Sequence, residues 1–386
     1  MKTTGRTAIW LLVLFSAQLL CAQTPEEGWK ERLDKLIEQG VRDQHVPGLA
    51  VGIVRDGRLV YARGFGLMAL DRPDKPVTPT TLFHMASVTK PFVATAIMQL
   101  AEQGKVDLDA PVTRYLPYFR LNDPRYRSIT VRQMLTHTSG MPDVEDYEWN
   151  KPQYDDAALE RYVRSLESQK LLWAPGTRFA YSNMAFEVLG DVVAKASGMT
   201  FEDYVAAHIL KPLRMDSSSL LLKTADPAML ATGYTKSKRG DNGGLVPVAA
   251  YPYNRIHSPS SNLLSNVVDM SRWAMANLDR GELDGNRVLQ SSAYDILWKP
   301  AAEVEFCHPP GYTECRKPGN NVGISWFLEE KNGHLIVSHG GGDDGFITVF
   351  WLIPDRKFAF VMMTNSDSAG IPLLKQIQAE ALGLAK

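Results

Sequence analysis

No Gly-x-Ser-x-Gly run occurs anywhere in the 386 residues. This excludes the strained strand-to-helix elbow on which α/β-hydrolases present their nucleophile. There is also no His-Glu-x-x-His and no Cys-x-x-Cys, so the common zinc-ligand spacings are missing, and neither a metal nor a cofactor is expected. Charge of one sign is lacking. Lys and Arg number 42 against 43 Asp and Glu, for a net charge of −1, which argues against nucleic acid or an acidic membrane surface as partner. Long apolar runs are absent except for Ala8 to Leu20, which falls short of the roughly 20 residues a helix needs to cross a bilayer, so no stable membrane span is expected. No internal repeat is visible, and Gly and Pro are at ordinary levels, which excludes fibrous and disordered classes.

Cysteine is scarce, with three in all. Cys21 belongs to the first 22 residues, which have the three-part plan of a secretory leader: Lys2 and Arg6, the apolar run, then Cys21-Ala22 before Gln23. Leu20 is a poor match to the small residue that precedes a lipid-anchored cysteine. The expectation is a cleaved signal peptide over 1–22, one domain over 23–386, and a periplasmic or secreted product. Cys307 and Cys315 then remain. With Pro309, Pro310 and Gly311 between them, they suggest a local disulfide in an oxidising compartment, with two unpaired thiols as the alternative.

The mature chain begins with an amphipathic helix over Glu26 to Gly40. Two apolar runs follow, Leu49 to Val54 and Leu59 to Gly64, joined by Asp56-Gly57, a hairpin signal. A long, mostly helical middle includes a short helix after the Thr130 N-cap, another from about Met184 to Ala196, and a capping pair at Thr200 and Asp203. Residues 235 to 262, rich in Gly, Pro, Ser and Asn, read as loop. Near the end, Gly323 to Glu330, Leu335 to Val337, Phe346 to Leu352 and Phe358 to Met363 read as strands. They are broken at Asn332-Gly333, Gly340 to Gly345 and Pro354-Asp355, and a helix over Ile371 to Leu382 closes the chain. The fold class is therefore α+β: an antiparallel sheet built from both chain ends and flanked by helices, with a mostly helical inserted lobe.

Three short motifs carry chemistry. In Phe83-His84-Met85-Ala86-Ser87-Val88-Thr89-Lys90-Pro91, Ser87 falls at or near a helix N-terminus and Lys90 lies three residues on, where hydroxyl and amine share a face. That supplies a nucleophile, a nearby base and backbone donors for an oxyanion. Taken alone, the pair also fits an N-cap serine with a solvated lysine. The second motif, Pro175-Gly176-Thr177-Arg178-Phe179-Ala180-Tyr181-Ser182-Asn183, offers a tyrosine able to move protons if nearby cations lower its pKa, and an amide to contact substrate or hold Lys90. Packing for Tyr181 and helix capping by Asn183 are the plain alternatives. The third, Ser338-His339-Gly340-Gly341-Gly342, allows close backbone approach to a ligand and a strand-edge N–H for an oxyanion, with a glycine hairpin and an incidental His as the plain alternative.

In this order and spacing, and with Leu135-Thr136-His137-Thr138-Ser139-Gly140-Met141-Pro142 between them, the motifs resemble those of the penicillin-recognising serine hydrolases, within them the class C β-lactamase-like family. The resemblance spans nearly the whole mature chain. It implies a β-lactamase/transpeptidase-like fold, Ser87 as acylated nucleophile, Lys90 as the amine that helps deprotonate it, and Tyr181 as proton carrier. It also implies an oxyanion hole from the backbone N–H groups of Ser87 and Gly342, with substrate contacts from Asn183, His339, Gly340 and Gly341. This sequence departs from the family's Lys-Thr-Gly at His339-Gly340-Gly341, losing a permanent cation and a hydroxyl that would grip a substrate carboxylate. The expected substrate is accordingly a small ester or a D-amino-acid peptide or amide. A β-lactamase, a non-turnover penicillin-binding receptor and a non-catalytic binding protein are the alternatives. Specificity is expected from loops at about 140 to 160, 235 to 262 and 300 to 320, with Tyr147, Trp149, Tyr251, Tyr253 and Tyr312 as candidate cleft walls.

Overall fold

The computed structural model describes residues 25–237, 244–304 and 320–385. The leader expected over 1–22, the Cys307–Cys315 pairing and Tyr312 lie outside these described residues.

Eight strands form one antiparallel sheet: β1 (Gly48–Arg55), β2 (Arg58–Gly66), β3 (Ala302–Glu303), β4 (Asn320–Val322), β5 (Phe327–Lys331), β6 (His334–Asp343), β7 (Phe346–Ile353) and β8 (Phe358–Thr364), in the spatial order β2-β1-β8-β7-β6-β5-β4-β3. The two chain ends meet toward one edge of the sheet, where β1, next to the edge strand β2, pairs with β8 from Leu49 opposite Thr364 to Val54 opposite Ala359. The β1–β2 turn places Asp56 and Gly57 at φ 51° and 71°, and the β5–β6 turn places Asn332 and Gly333 at 53° and 80°. Both are the left-handed pairs that Asp-Gly and Asn-Gly turns favour.

Both faces of the sheet are covered, which is why β1 and β8 read as continuous apolar runs rather than alternating ones. Helices α1 (Pro25–Asp43) and α5 (Ile371–Leu384) cover the outer face, packing Trp29, Leu33, Ile37, Leu373 and Ile377 against Leu49, Val51, Ile53, Phe360 and Met362. On the inner face the helical lobe supplies α2 (Lys90–Glu102), α3 (Asn183–Ser197) and α4 (Val267–Leu278). Residues 90 to 100 of α2 are buried without exception, so it is the lobe's central rod. Phe92 of α2 stacks on Trp273 of α4 with ring centroids 4.3 Å apart.

Three expectations need correction. The glycine run does not break its strand: β6 continues through Gly340, Gly341 and Gly342, paired with Val349, Thr348 and Ile347. At Gly341 the inner neighbour comes too close for a side chain, so glycine is required there. The strand expected from Gly323 starts only at Phe327, because residues 323 to 326 turn, with Ser325 at φ 64°. The stretch from 254 to 262 is no surface loop. Asn254, Arg255, His257, Ser258, Ser260 and Asn262 are all buried, and they form a wall behind the site.

Candidate active site

The segment before α2 is held in place before its chemistry is considered. Phe83–His84 pairs with Leu264–Ser265, the Met85 N–H donates to the Leu263 carbonyl at 2.8 Å, and the Leu263 N–H donates to Thr89 Oγ1 at 3.1 Å. Ala86 sits at φ 48°, in the left-handed region that a Cβ disfavours, immediately before Ser87. A single 3₁₀ turn, Ala86–Thr89, carries Ser87 and runs into α2 at Lys90, with Pro91 where a missing N–H costs nothing. Ser87 therefore stands one tight turn ahead of the α-helix and not at its first residue.

Lys90 is fully buried, and its amine makes three contacts. It donates to Ser87 Oγ at 3.0 Å, to the Ser260 carbonyl at 2.9 Å and, through a very short bond, to Asn183 Oδ1. Burial pushes its pKa down to about 8, against the pull of the Glu187, Asp143 and Asp343 carboxylates. Asn183 does not cap α3, because Ser182 does so by accepting the Ala185 N–H at 3.0 Å. Asn183 Nδ2 donates to Asp143 Oδ1 at 2.9 Å, which turns its oxygen toward Lys90.

Tyr181 is a hydrogen-bond partner of Ser87. Its ring stacks on His137 at 4.3 Å and lies 5.0 Å from the Lys90 amine. Burial raises the phenol pKa well above its ordinary value. The bond to Ser87 opposes this and the Asp143, Asp343 and Glu187 carboxylates add to it, so Tyr181 holds its proton and is not the cation-activated phenolate that sequence reasoning allowed for. His339, on β6, is buried with its ring 6.5 Å from that of Tyr181. Burial pushes its pKa down to about 3, the nearby Lys90 charge acts in the same direction, and a bond between Nδ1 and the Gly340 carbonyl, at 2.7 Å, opposes. His339 is thus a neutral imidazole at physiological pH. Gly341 faces the Met85 carbonyl, and Gly340 and Gly342 face open space.

Ser87, Tyr181, His339, Gly340, Gly341 and Gly342 all border one cavity of about 820 Å³. Among the described residues its further walls include Phe327 and Trp351. The aromatic candidates pack behind the site: Tyr147 stacks on Trp149 at 4.7 Å, Tyr253 is buried, and Tyr251 lies 5.6 Å from Phe346. Sequence reading missed Ser260, Glu187 and Asp143, which surround Lys90. It also missed a buried triplet in which His84 Nε2 lies 2.8 Å from Asp343 Oδ2 and Ser261 joins the same oxygen, tying the end of β6 to the strand before Ser87. Among the described residues no group of three or more His, Cys, Asp or Glu could hold a metal, and no helix is long and apolar enough to cross a membrane.

A sequence model of the family described as Beta-lactamase matches residues 33–382. Protein flp of Staphylococcus aureus (strain N315) is 28% identical over 350 residues, covering 89% of this chain and 65% of its own. Unguisins hydrolase ungD' of Aspergillus campestris is 30% identical over 368 residues, again covering 65% of its own length, so the chain spans about two thirds of the curated relatives it matches. Among solved structures, the octameric penicillin-binding protein homologue from Pyrococcus abyssi aligns with a TM-score of 0.77 at 26% identity, over 92% of this chain and 78% of that one. A D-stereospecific amidohydrolase from Streptomyces sp. aligns at 0.69 and 26%, over 92% and 98%. A class C beta-lactamase, at 0.74 and 22% over 94% and 98%, shares the fold.

Proposed function

We propose that this chain, which belongs to the Beta-lactamase family, is an exported serine hydrolase that works through an acyl-enzyme on Ser87, with small esters or D-amino-acid amides and peptides as substrates. The observation that carries the reading is the Lys90 amine, buried and 3.0 Å from Ser87 Oγ, with its pKa brought down to about 8. An amine so placed is neutral often enough near neutral pH to accept the serine proton.

The steps follow from the placement. Ser87 Oγ attacks the substrate carbonyl carbon as its proton passes to Lys90 Nζ. The developing oxyanion is taken by the backbone N–H groups of Ser87 and Gly342. Tyr181, which keeps its proton, gives it to the departing alcohol or amine and recovers one from Lys90. Water then enters by the same route in reverse and releases the acid. Asn183, its amide engaged by Lys90 and Asp143, seats Lys90, and the edge of β6 at His339, Gly340 and Gly341 receives the substrate backbone. Neutral His339 offers no cation to a substrate carboxylate, which supports esters and amides over carboxylated β-lactams. The name of the Streptomyces amidohydrolase agrees with amide cleavage, and that of the Aspergillus hydrolase with hydrolysis.

The test compares mature wild type with Ser87→Ala on a p-nitrophenyl ester, a D-alanyl peptide amide and a chromogenic cephalosporin, with intact mass taken on each mixture. Ester or amide turnover that disappears in the variant is expected. An unchanged rate in Ser87→Ala would sink the reading, and a stable cephalosporin adduct without turnover would replace it with a penicillin-binding receptor. A second expectation concerns pH. The Lys90 pKa is depressed, so the amine is protonated and idle below it and neutral above it. With a neutral ester, kcat/KM should therefore rise with pH and level off, with a midpoint near 8. A flat profile between about pH 6 and 9 would remove Lys90 from the role of base.

A further inference from the structure

Glu187 is a fully buried carboxylate to which the mechanism above gives no part. It lies four residues after Asn183 on α3, so the two share a face. Asn183 grips the Lys90 amine directly. Glu187 reaches it through one residue: Ser260 Oγ donates to Glu187 Oε1 at 2.5 Å, and the carbonyl of that same Ser260 accepts from Lys90 Nζ at 2.9 Å. His257 Nδ1 lies 3.0 Å from Glu187 Oε1, with the rings of Tyr147, Tyr162 and Trp149 at 4.7, 5.5 and 5.7 Å from the imidazole. Glu187 Oε2 has no hydrogen-bond partner among the described residues. A buried carboxylate costs several kcal/mol unless it is fully paired, and tying a loop to a helix does not require one.

We propose that Glu187 is a positioning residue for Lys90: through Ser260 it fixes the seat of the amine, and its charge sets how readily the amine gives up its proton to become the base for Ser87. This rests on the reading of Lys90 and Ser87 given above. The charged and titratable groups facing Lys90 are Glu187 from α3, Asp143 from the loop bonded to Asn183, Asp343 from the end of β6, and His137, His339 and Tyr181 around the cleft. Burial raises the pKa of Glu187 itself, and the bonds from His257 and Ser260 together with the Lys90 charge oppose this and favour the carboxylate.

The experiment uses a fluorophosphonate ester probe, which needs no knowledge of the substrate. Ser87 Oγ attacks phosphorus, fluoride leaves, and the serine proton passes to Lys90. Labelling rates are measured against pH for wild type, Ser87→Ala, Glu187→Gln and Ser260→Ala. Wild type should label with a midpoint near 8, and Ser87→Ala should not label. Glu187→Gln keeps an acceptor for Ser260 but loses the charge, so Lys90 deprotonates more easily and the midpoint falls by about one pH unit. Ser260→Ala keeps the charge and loosens the seat, so the plateau rate falls about tenfold with the midpoint in place. A role confined to holding the wall of residues 254–262 would lower stability and leave both midpoint and plateau unchanged. That result in either variant overturns the inference. Failure of wild type to label overturns the reading of Ser87 and this inference together.

Discussion

Lys90→Met is expected to lower kcat for an ester substrate by about a thousandfold while KM stays within a few-fold, because the lost group acts on the nucleophile and not on bound substrate. Methionine fills nearly the same volume, so the site should not collapse. It leaves Ser87 Oγ, Asn183 Oδ1 and the Ser260 carbonyl without their shared donor. Buried acceptors left unpaired cost about 1–3 kcal/mol each, and removal of a desolvated ammonium offsets part of that. The net loss in a urea melt should therefore be about 1–3 kcal/mol, small enough for the variant to fold. Lys90→Arg is the instructive partner. It keeps a positive charge but cannot give up a proton near neutral pH, so it should be as inactive as Lys90→Met. Retention of more than a tenth of wild-type kcat in either variant would show that Ser87 is activated by another group.

These variants probe a site of which the sequence showed only the acting members. Ser87 and Lys90 were legible because they lie three residues apart and face the same way, and Tyr181 with Asn183 because a Pro-Gly turn announces them. The hairpins at Asp56-Gly57 and Asn332-Gly333 were legible for a similar reason, since the left-handed backbone they require is a local property. What surrounds Lys90 was hidden by distance along the chain. Glu187 and Ser260 are 73 residues apart, and Lys90 and Ser260 are 170 apart. No local rule connects them. Composition then misled twice. Residues 254–262 carry the Pro, Ser and Asn of a surface loop, yet they are buried, with the Asn262 amide bonded to the Asn254 carbonyl, His257 to Glu187 of α3 and Arg255 to Glu202 and Asp156. The Gly340 to Gly342 run looked like a strand break, since glycine is depleted in strands. Its backbone is instead held straight by pairing with β7, and one of its glycines, Gly341, answers a steric demand from the nucleophile turn.

That steric demand yields the last prediction. A Cβ on Gly341 would lie closer than 3.0 Å to both the Met85 carbonyl oxygen and Thr348 Oγ1, and 3.1 Å from Ala86 Cβ. The Thr348 hydroxyl donates to the same Met85 carbonyl at 2.8 Å, latching the turn before Ser87 to β7. Gly341→Ala must therefore push β6 and the turn apart, break the latch, or both. Overpacking of this kind costs about 1–3 kcal/mol. The strained φ of Ala86 persists only while its surroundings enforce it, so a displaced turn would relax and carry Ser87 with it. A misplacement of about 1 Å at a nucleophile is worth roughly a hundredfold in rate. The expected result is a kcat about a hundred times lower, together with a urea midpoint shifted to match the lost stability. Gly340 and Gly342 supply the comparison on the same strand. A Cβ at Gly342 meets nothing within 4 Å, and at Gly340 only the Thr348 carbonyl at 3.7 Å, so alanine at either position should leave folding stability within about 1 kcal/mol of wild type. If Gly341→Ala melts with Gly340→Ala and turns over like wild type, the close packing of β6 on the Met85 turn is not what holds Ser87 in place.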